Sequence, residues 1–328
     1  MISYARDKLK NFITLRQTNL VTLLKRNLFS LVVLLGLTFT SLVFAVCTNK
    51  AGIIKEVDIP VTPSSVPEIA KVRIALAVTD ISVGRNRLTF GLIEKGEGPL
   101  RNIQIFLNTF YLDGEKPNER VESLEPTYIE WPTGKGGVYT TTANFTQSGR
   151  WGLGVVFGSD DNMRTASAFI EVSASSMAPT VGTIPPHSTT KSLSQGYLIK
   201  SITSDPNPYT PLYELTLQQA LNSGLPSLVV FATPAYCVTA TCGPQLEIIK
   251  DLHKSHGDRI NFIHIETYEN PQDIKGDLSK GIISAATRDW NLPSEPWTFL
   301  INSEGIIIER YEGLVTTNEI LEILPSLR

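Results

Sequence analysis

The stretch Phe231-Ala-Thr-Pro-Ala-Tyr-Cys237-Val-Thr-Ala-Thr-Cys242-Gly-Pro244 decides how the second half of this chain is interpreted. It contains two of the three cysteines of the chain, five positions apart. An apolar run, Leu228–Phe231, precedes it and a helix-like stretch comes after it, which predicts a thiol pair between the end of a strand and the start of a helix. Backbone N–H groups and the helix dipole favour a thiolate at such a place. The alternatives are a static disulfide or two small buried residues.

Start and stop signals for further elements surround this pair. Thr216-Leu-Gln-Gln219 and Thr316-x-x-Glu319 are capping boxes that predict the first turns of two helices. Gly243-Pro244 predicts the start of the helix after the cysteines. Strands are expected at 227–231, 261–265, 298–301 and 306–311, and the last two form a hairpin. The expected order is β-α-β-α-β-β-α, depending on whether Tyr197–Lys200 counts as a first strand.

Two separate parts of residues 196–328 resemble the thioredoxin family, in its membrane-tethered extracytoplasmic branch. One is Val229-Val-Phe-Ala-Thr with Tyr236-Cys237; the other is Leu292-Pro-Ser-Glu-Pro296-Trp-Thr-Phe-Leu-Ile-Asn-Ser-Glu-Gly305, continued by Ile308-Glu-Arg-Tyr-Glu-Gly313. The resemblance implies an α/β thioredoxin-like fold for 196–328. It also implies that the Glu295–Pro296 peptide is cis and that Pro296 packs against the cysteines.

The sequence departs from the usual pattern of that family in three ways. Four residues separate the cysteines instead of two, and five helical positions span ~7.5 Å, too far for a disulfide. Residues 237–241 must therefore form a loop if the pair bridges. Cys242-Gly-Pro244 also aligns with the start of a Cys-Gly-Pro-Cys motif, with Gln245 in place of the second cysteine. Val230 occupies the place of a buried acid, so Glu295 is a candidate proton acceptor, the alternative being a solvated loop acid.

The resemblance implies dithiol–disulfide exchange, in which one thiolate attacks a partner disulfide and the second cysteine resolves the mixed disulfide. By position, Cys237 is expected to attack and Cys242 to resolve. Five residues are expected to form the walls of a groove that binds protein thiols or disulfides: Pro234, Tyr236, Glu295, Pro296 and Trp297. Simple packing is the alternative role for Tyr236 and Trp297.

Three other functions fit parts of the pattern. A thiol peroxidase would use Thr239 upstream of Cys242, but Pro234 lies one position too far back. A copper chaperone of the Sco type needs a distal histidine, and none comes after Glu266. The third is a non-enzymatic envelope binding or scaffold protein with a structural disulfide. The chain shows no nucleotide fingerprint, hydrolase elbow or zinc spacing, so we expect no cofactor and no metal site.

The middle of the chain has a different character. Residues 68–172 contain alternating apolar segments between glycine-rich turns, which predicts an Ig-like β-sandwich with Phe145 and Trp151 in its core. This block has no His or Cys and only one Met, Met163, so a spacer or partner-docking role is expected rather than copper binding. Residues 47–67 are interpreted as a stalk and 173–195 as an interdomain linker because both are rich in Pro, Ser and Thr.

The N-terminal segment predicts a membrane tether. Residues 28–46 carry no charge over nineteen positions, and Lys25 and Arg26 precede them, which favours a transmembrane anchor over a cleaved signal sequence. Residues 1–27 would then be a cytosolic basic segment, with the later domains on the extracytoplasmic side of the cell membrane. Cys47 directly follows the apolar run and is a lipidation candidate. The residues after 46 carry 23 basic and 31 acidic side chains, which argues against nucleic acid as a partner.

Overall fold

The computed structural model of the protein describes residues 71–131, 134, 136–159, 162–238 and 241–327. All of them belong to one compact unit, Pro67–Arg328. The predictions for residues 1–27, 28–46 and 47–67, including lipidation of Cys47, lie outside the described residues. Within the described ranges, no helix has the length and apolar composition needed to cross a membrane.

Nine strands form two antiparallel sheets in the first part of this unit. They are β1 (Val72–Leu76), β2 (Gly84–Glu94), β3 (Gly98–Leu100), β4 (Ile105–Tyr111), β5 (Arg120–Leu124), β6 (Thr127–Glu130), β7 (Gly137–Phe145), β8 (Gly149–Phe157) and β9 (Arg164–Val172). One sheet has the order β1-β2-β7-β6, with β3 paired to β2, and the other has the order β5-β4-β8-β9.

A single hydrophobic core lies between these two sheets, built from their alternating inward side chains. Phe145 and Trp151 are both fully buried there, with their rings edge to face at 5.0 Å, so their predicted place in the core is confirmed. Gly137 marks a close approach in this region. A Cβ at that position would meet the Tyr128 hydroxyl and the Ile129 carbonyl oxygen at 2.4 Å, so only glycine fits there.

The third sheet carries the cysteine region. Its strands are β10 (Ser227–Ala232), β11 (Asn261–Glu266), β12 (Trp297–Ile301) and β13 (Ile307–Glu312), in the order β11-β10-β12-β13. The β10–β11 pair is parallel, and the other two pairs are antiparallel. The α-helices of the described residues are α1 (Ile199–Ile202), α2 (Leu217–Leu221), α3 (Cys242–His256), α4 (Pro271–Ile274), α5 (Ala285–Asp289) and α6 (Thr317–Ile323).

Both faces of β10 are covered, which explains its unbroken apolar sequence. Leu228 and Val230 pack in a cluster with Leu246 and Ile249 of α3. Val229 and Phe231 point the other way, into a cluster built around Trp290, Trp297 and Phe299. The strand that leads to Cys237 is therefore held firmly on both sides.

The predicted fold class is wrong for the described residues: an α/β thioredoxin-like domain behind an Ig-like sandwich does not describe them, and the expected N-terminal transmembrane or signal helix lies outside them. The described residues are 36% strand and 22% helix, in three sheets. Among them, α3 is the only helix longer than seven residues. Tyr197–Lys200 is also not a strand, because α1 begins at Ile199.

The local reason for the low helix content lies between β11 and β12. Gly276 has a φ of 85°, a left-handed conformation that terminates helices and favours glycine. Lys275 precedes it, also in the left-handed region, and caps α4 after one turn. A 3-10 turn, Leu278–Lys280, and the five-residue α5 come next. Across residues 267–296, all of them described, the chain therefore forms no continuous crossover helix.

Side chains from both parts of the unit meet beside β13. Arg310 pairs with the buried Asp80 at 3.2 Å, and Arg87 pairs with Glu319 at 2.8 Å. The Glu312 carboxylate accepts hydrogen bonds from the Thr79 hydroxyl at 2.6 Å and from the Thr79 and Asp80 backbone N–H groups. These contacts join β2 and the loop between β1 and β2 to β13 and α6.

Candidate functional site

The two cysteines lie between the end of β10 and the start of α3. Cys237 follows β10 by five residues, and Cys242 is the first residue of α3, with Thr241 as its N-cap. The two form a disulfide with a Cα–Cα distance of 5.9 Å. Because the helix begins only at Cys242, the preceding residues can adopt the loop that bridging requires.

The two sulfur-bearing residues differ in exposure. Cys242 is fully buried in the cluster between α3 and the sheet. Cys237 is half-buried, and Val238 beside it is 86% exposed. The protein core covers Cys242, whereas part of the Cys237 residue is open to solvent.

Glu295 is the third member of this site. Its carboxylate oxygen and the two cysteine Sγ atoms lie within 4.8 Å of one another. The Thr267 hydroxyl donates a hydrogen bond to Glu295 Oε2 at 2.8 Å, which orients the carboxylate. The Glu295–Pro296 peptide is cis, as the sequence predicted. The loop before β12 thus brings an acid to the disulfide.

A second acid, Glu266, ends β11 and is 5% exposed. In the β10–β11 ladder it lies opposite Ala232, at the same edge of the sheet as the cysteine loop. Burial raises the pKa of its carboxyl to about 7, although the Ser204 backbone N–H donates to Oε2 at 2.6 Å and acts in the opposite direction. The negative charge of Glu295 also raises this pKa, so the two acids are electrostatically coupled.

His264, two residues earlier on β11, fixes the end of β10. Burial lowers its pKa to about 4, so the imidazole is neutral at pH 7. Its Nε2 lies 3.0 Å from the Ala232 carbonyl oxygen, and its Nδ1 lies 2.8 Å from the Tyr213 hydroxyl. A carbonyl oxygen only accepts, so Nε2 carries the proton and Nδ1 accepts from Tyr213. The chain is therefore anchored one residue before Thr233, where the cysteine loop begins.

The expected groove residues divide into two groups. Pro234 and Tyr236 are half-buried on the cysteine loop, and the Tyr236 hydroxyl donates to the Pro271 carbonyl oxygen at 3.4 Å. Pro296 is buried, and Trp297 is 2% exposed, stacked on Phe299. Trp297 therefore packs in the core, which was the alternative role, while its Nε1 donates to the Ser294 hydroxyl.

An open groove adjoins the Glu295 side of the site, with a volume of about 400 Å³. Its walls come from the end of β11, the α5 region and the loop before β12. The residues that line it include Thr267, Tyr268, Arg288, Leu292, Pro293 and Glu295. The groove adjoins the site through Glu295, and none of its lining residues belongs to the cysteine loop.

Glu266 and Thr267 were not identified as site residues from the sequence. The available signal was an acid that directly ends an apolar strand, Asn261-Phe-Ile-His-Ile-Glu266. Parallel strands bring their carboxyl ends to one edge of a sheet, so such an acid is expected near the loop that leaves the neighbouring strand. The pairing of β11 with β10 was needed to use that signal.

The chain matches no protein-family model and no curated protein. The chemistry of the site is therefore inferred from its own geometry. That geometry is a disulfide between a half-buried cysteine and a buried one at a helix N-terminus, an oriented carboxylate beside it, and a groove that begins at this carboxylate. Such an arrangement can exchange a disulfide bond with another molecule.

Proposed function

We propose that this protein exchanges disulfide bonds with thiols of partner proteins through Cys237 and Cys242. The observation that carries the proposal is the unequal exposure of a bonded pair at the start of a fifteen-residue helix. A purely structural disulfide can have both residues fully buried, whereas Cys237 is only half-buried. A sulfur that can be reached and a partner sulfur that can leave are the two requirements of thiol exchange.

In the oxidised protein a partner thiolate attacks the Cys237 sulfur. The Cys237–Cys242 bond breaks, and its electron pair leaves on the Cys242 sulfur. The helix N-terminus stabilises that negative charge, because the dipole and the first N–H groups of α3 point toward it. A second partner thiol then attacks the mixed disulfide and releases Cys237. The net change is one disulfide reduced in this protein and one formed in the partner, and the reverse reaction uses Cys237 as the attacking thiolate.

Protein thiols and disulfides of the cell envelope are the proposed partners. The support for that location comes from the sequence of residues 28–46, which would tether the protein to a membrane with the site on the extracytoplasmic side. Disulfides persist in that environment, so a thiol pair there meets oxidised partners. The groove beside Glu295 offers room for an extended peptide segment near the acid that faces the disulfide.

The test is a redox titration of the full-length protein in detergent, carrying Cys47→Ser so that only the pair is counted. Free thiols are measured by alkylation and intact mass in glutathione buffers. We expect a reversible two-electron transition between about −120 and −270 mV, the range of working exchange proteins. A pair that stays oxidised below about −300 mV would instead be a structural disulfide, and the proposal would fail.

Single cysteine variants test the order of the steps. With Cys242→Ser we expect a trapped mixed disulfide between Cys237 and a partner thiol. With Cys237→Ser we expect no turnover and little trapping, because Cys242 is fully buried. If Cys242 is the residue that traps partners, the assigned order is reversed.

A further inference from the structure

We propose that reduction converts Cys237, Cys242 and Glu295 into a binding site for Zn²⁺. The inference goes beyond disulfide exchange, and it requires only that the disulfide be reducible. The observation behind it is the convergence of three ligand atoms, the two Sγ atoms and one carboxylate oxygen, within 4.8 Å of one another. The three residues come from a loop, a helix start and a second loop, so the fold brings them together.

The ligand set matches the chemistry of zinc. Zn²⁺ binds thiolate sulfur at about 2.3 Å and carboxylate oxygen at about 2.0–2.2 Å in tetrahedral geometry. Two sulfurs on one tetrahedral zinc lie ~3.8 Å apart by that geometry. The sulfur atoms must separate to that distance once the disulfide opens, which the half-buried Cys237 can do by a side-chain rotation. Solvent or a substrate ligand takes the fourth position.

The mixture of soft and hard donors decides between metals. Cu⁺ prefers sulfur alone, and Mg²⁺ and Ca²⁺ prefer oxygen alone, whereas Zn²⁺ accepts both. Electrostatics adds to this preference. Two thiolates and a carboxylate in so small a space repel one another, and a divalent cation removes that repulsion. A cation should therefore stabilise the fully deprotonated site more than it stabilises either single thiolate.

The carboxylate is positioned before any metal arrives. Thr267 holds Glu295 Oε2 through its hydroxyl at 2.8 Å. Ser294, the preceding residue, donates to Glu312 at 2.5 Å and accepts from Trp297 at 3.2 Å. A ligand that is oriented by neighbouring hydrogen bonds loses less freedom when it binds a metal. Glu295 is therefore presented to the sulfurs on a supported loop.

The reaction balances with a dithiol as reductant. The dithiol donates two electrons and two protons to the disulfide, which yields two cysteine thiols and an oxidised dithiol. Zinc then replaces the two thiol protons, which are released to solvent. The oxidised protein offers no thiolate, so binding depends on the redox state. Bound zinc would also occupy the sulfur that attacks, so it should inhibit disulfide exchange.

The experiment uses the full-length Cys47→Ser protein, reduced and then freed of reductant without oxygen. Zn²⁺ alone is titrated against a chromogenic chelator, and Co²⁺ is used as a spectroscopic probe of thiolate ligation. We expect one Zn²⁺ per chain in the reduced protein, release of two protons per metal at a pH below the thiol range, and none bound after oxidation. Glu295→Gln should weaken binding by about tenfold or more, since loss of even an outer partner of a zinc ligand costs that much.

The matched control is Glu304→Gln, an exposed acid in the turn between β12 and β13. It should bind Zn²⁺ as the parent protein does. Equal affinity of Glu295→Gln and the parent would remove the carboxylate from the site, and a reduced protein without stoichiometric zinc would overturn the proposal. Thiol exchange is measured separately with a chelator present. An active exchanger that binds no zinc fails only this proposal, and a zinc-binding protein without exchange fails only the proposed function.

Discussion

The Ser294 hydroxyl donates a hydrogen bond to Glu312 Oε1 at 2.5 Å. Ser294 directly precedes Glu295, the acid that faces the disulfide. Glu312 Oε1 also accepts from the Thr79 hydroxyl at 2.6 Å. Glu312 is 8% exposed, so these bonds are shielded from water. One buried carboxylate thus ties the loop between β1 and β2 to the loop that carries Glu295, so the first part of the unit supports the site.

Glu312→Gln should therefore destabilise the protein and disturb the Glu295 loop. Hydrogen bonds to a buried charged group contribute about 1.5–3 kcal/mol, and the amide cannot accept all of them. We expect the free energy of unfolding to fall by about 2 kcal/mol, measured by denaturant titration. Glu304→Gln, on an exposed turn, should change it by less than about 0.5 kcal/mol. Equal effects of the two substitutions would contradict this role.

Glu266 makes stability depend on pH. In the folded protein its carboxyl has a pKa of about 7, against an ordinary value of 4.5, so it stays protonated over a range where the unfolded chain is ionised. Unfolding then releases a proton, and raising the pH favours the unfolded state. Stability should fall as the pH rises from about 4.5 through 7, by roughly 3 kcal/mol in total for this group.

The difference between the parent and Glu266→Gln isolates that contribution. His264 titrates in the opposite sense, because its lowered pKa means that the folded state holds fewer protons between about 4 and 6.5. That contribution is common to both proteins and cancels in the comparison. Glu266→Gln should gain stability relative to the parent as the pH rises from 5 to 8. Parallel curves for the two proteins would show that Glu266 is ionised in the folded state.

Glu295 should slow the reaction of the reduced Cys237 thiol. A carboxylate within 4.8 Å opposes formation of a thiolate, by roughly 1 kcal/mol when solvent screens the pair. In Glu295→Gln, with a chelator present to exclude metals, alkylation of Cys237 near neutral pH should be about fivefold faster. Slower alkylation in the variant would mean that Glu295 assists the thiolate, as a proton acceptor does.

A buried ion pair secures the helix that begins at Cys242. Lys250 of α3 and Asp205 lie 2.7 Å apart, with side chains 7% and 5% exposed. Asp205→Asn removes the buried partner of Lys250 and leaves it the mostly exposed Glu247, also at 2.7 Å, so the cost should stay below the value of about 3–5 kcal/mol for a fully broken buried pair. Asp251→Asn breaks the exposed Lys254 pair on the same helix and should leave the stability nearly unchanged. Chemical denaturation of both variants compares the two costs directly.

Local signals in the sequence predicted the elements that they control. Both capping boxes are present, with Thr216 bonded to Gln219 and Thr316 bonded to Glu319, because a cap depends on four neighbouring residues. The cysteine loop followed from the spacing of Cys237 and Cys242 and from the turn at Gly243-Pro244, although α3 begins one residue earlier than expected. These features need no knowledge of distant parts of the chain.

Features that depend on distant contacts were not predicted. The sequence signals did not locate the short helical turns that the chain forms between residues 267 and 296, around Lys275 and Gly276. Glu266 gains its pKa from burial under the segment at Ser204, and Glu312 gains its partners from Thr79, more than 200 positions away. Neither relationship leaves a trace in the neighbouring sequence, because both arise only when the sheets pack.

The disulfide joins residues only five positions apart, and this has a thermodynamic consequence. A cross-link lowers the chain entropy of the unfolded state in proportion to the logarithm of the loop that it closes. For so short a loop the effect is roughly 2 kcal/mol, compared with nearly 5 kcal/mol for a loop of about 100 residues. Opening the bond therefore releases little conformational freedom, and the oxidised and reduced chains can share one folded state throughout the proposed exchange reaction.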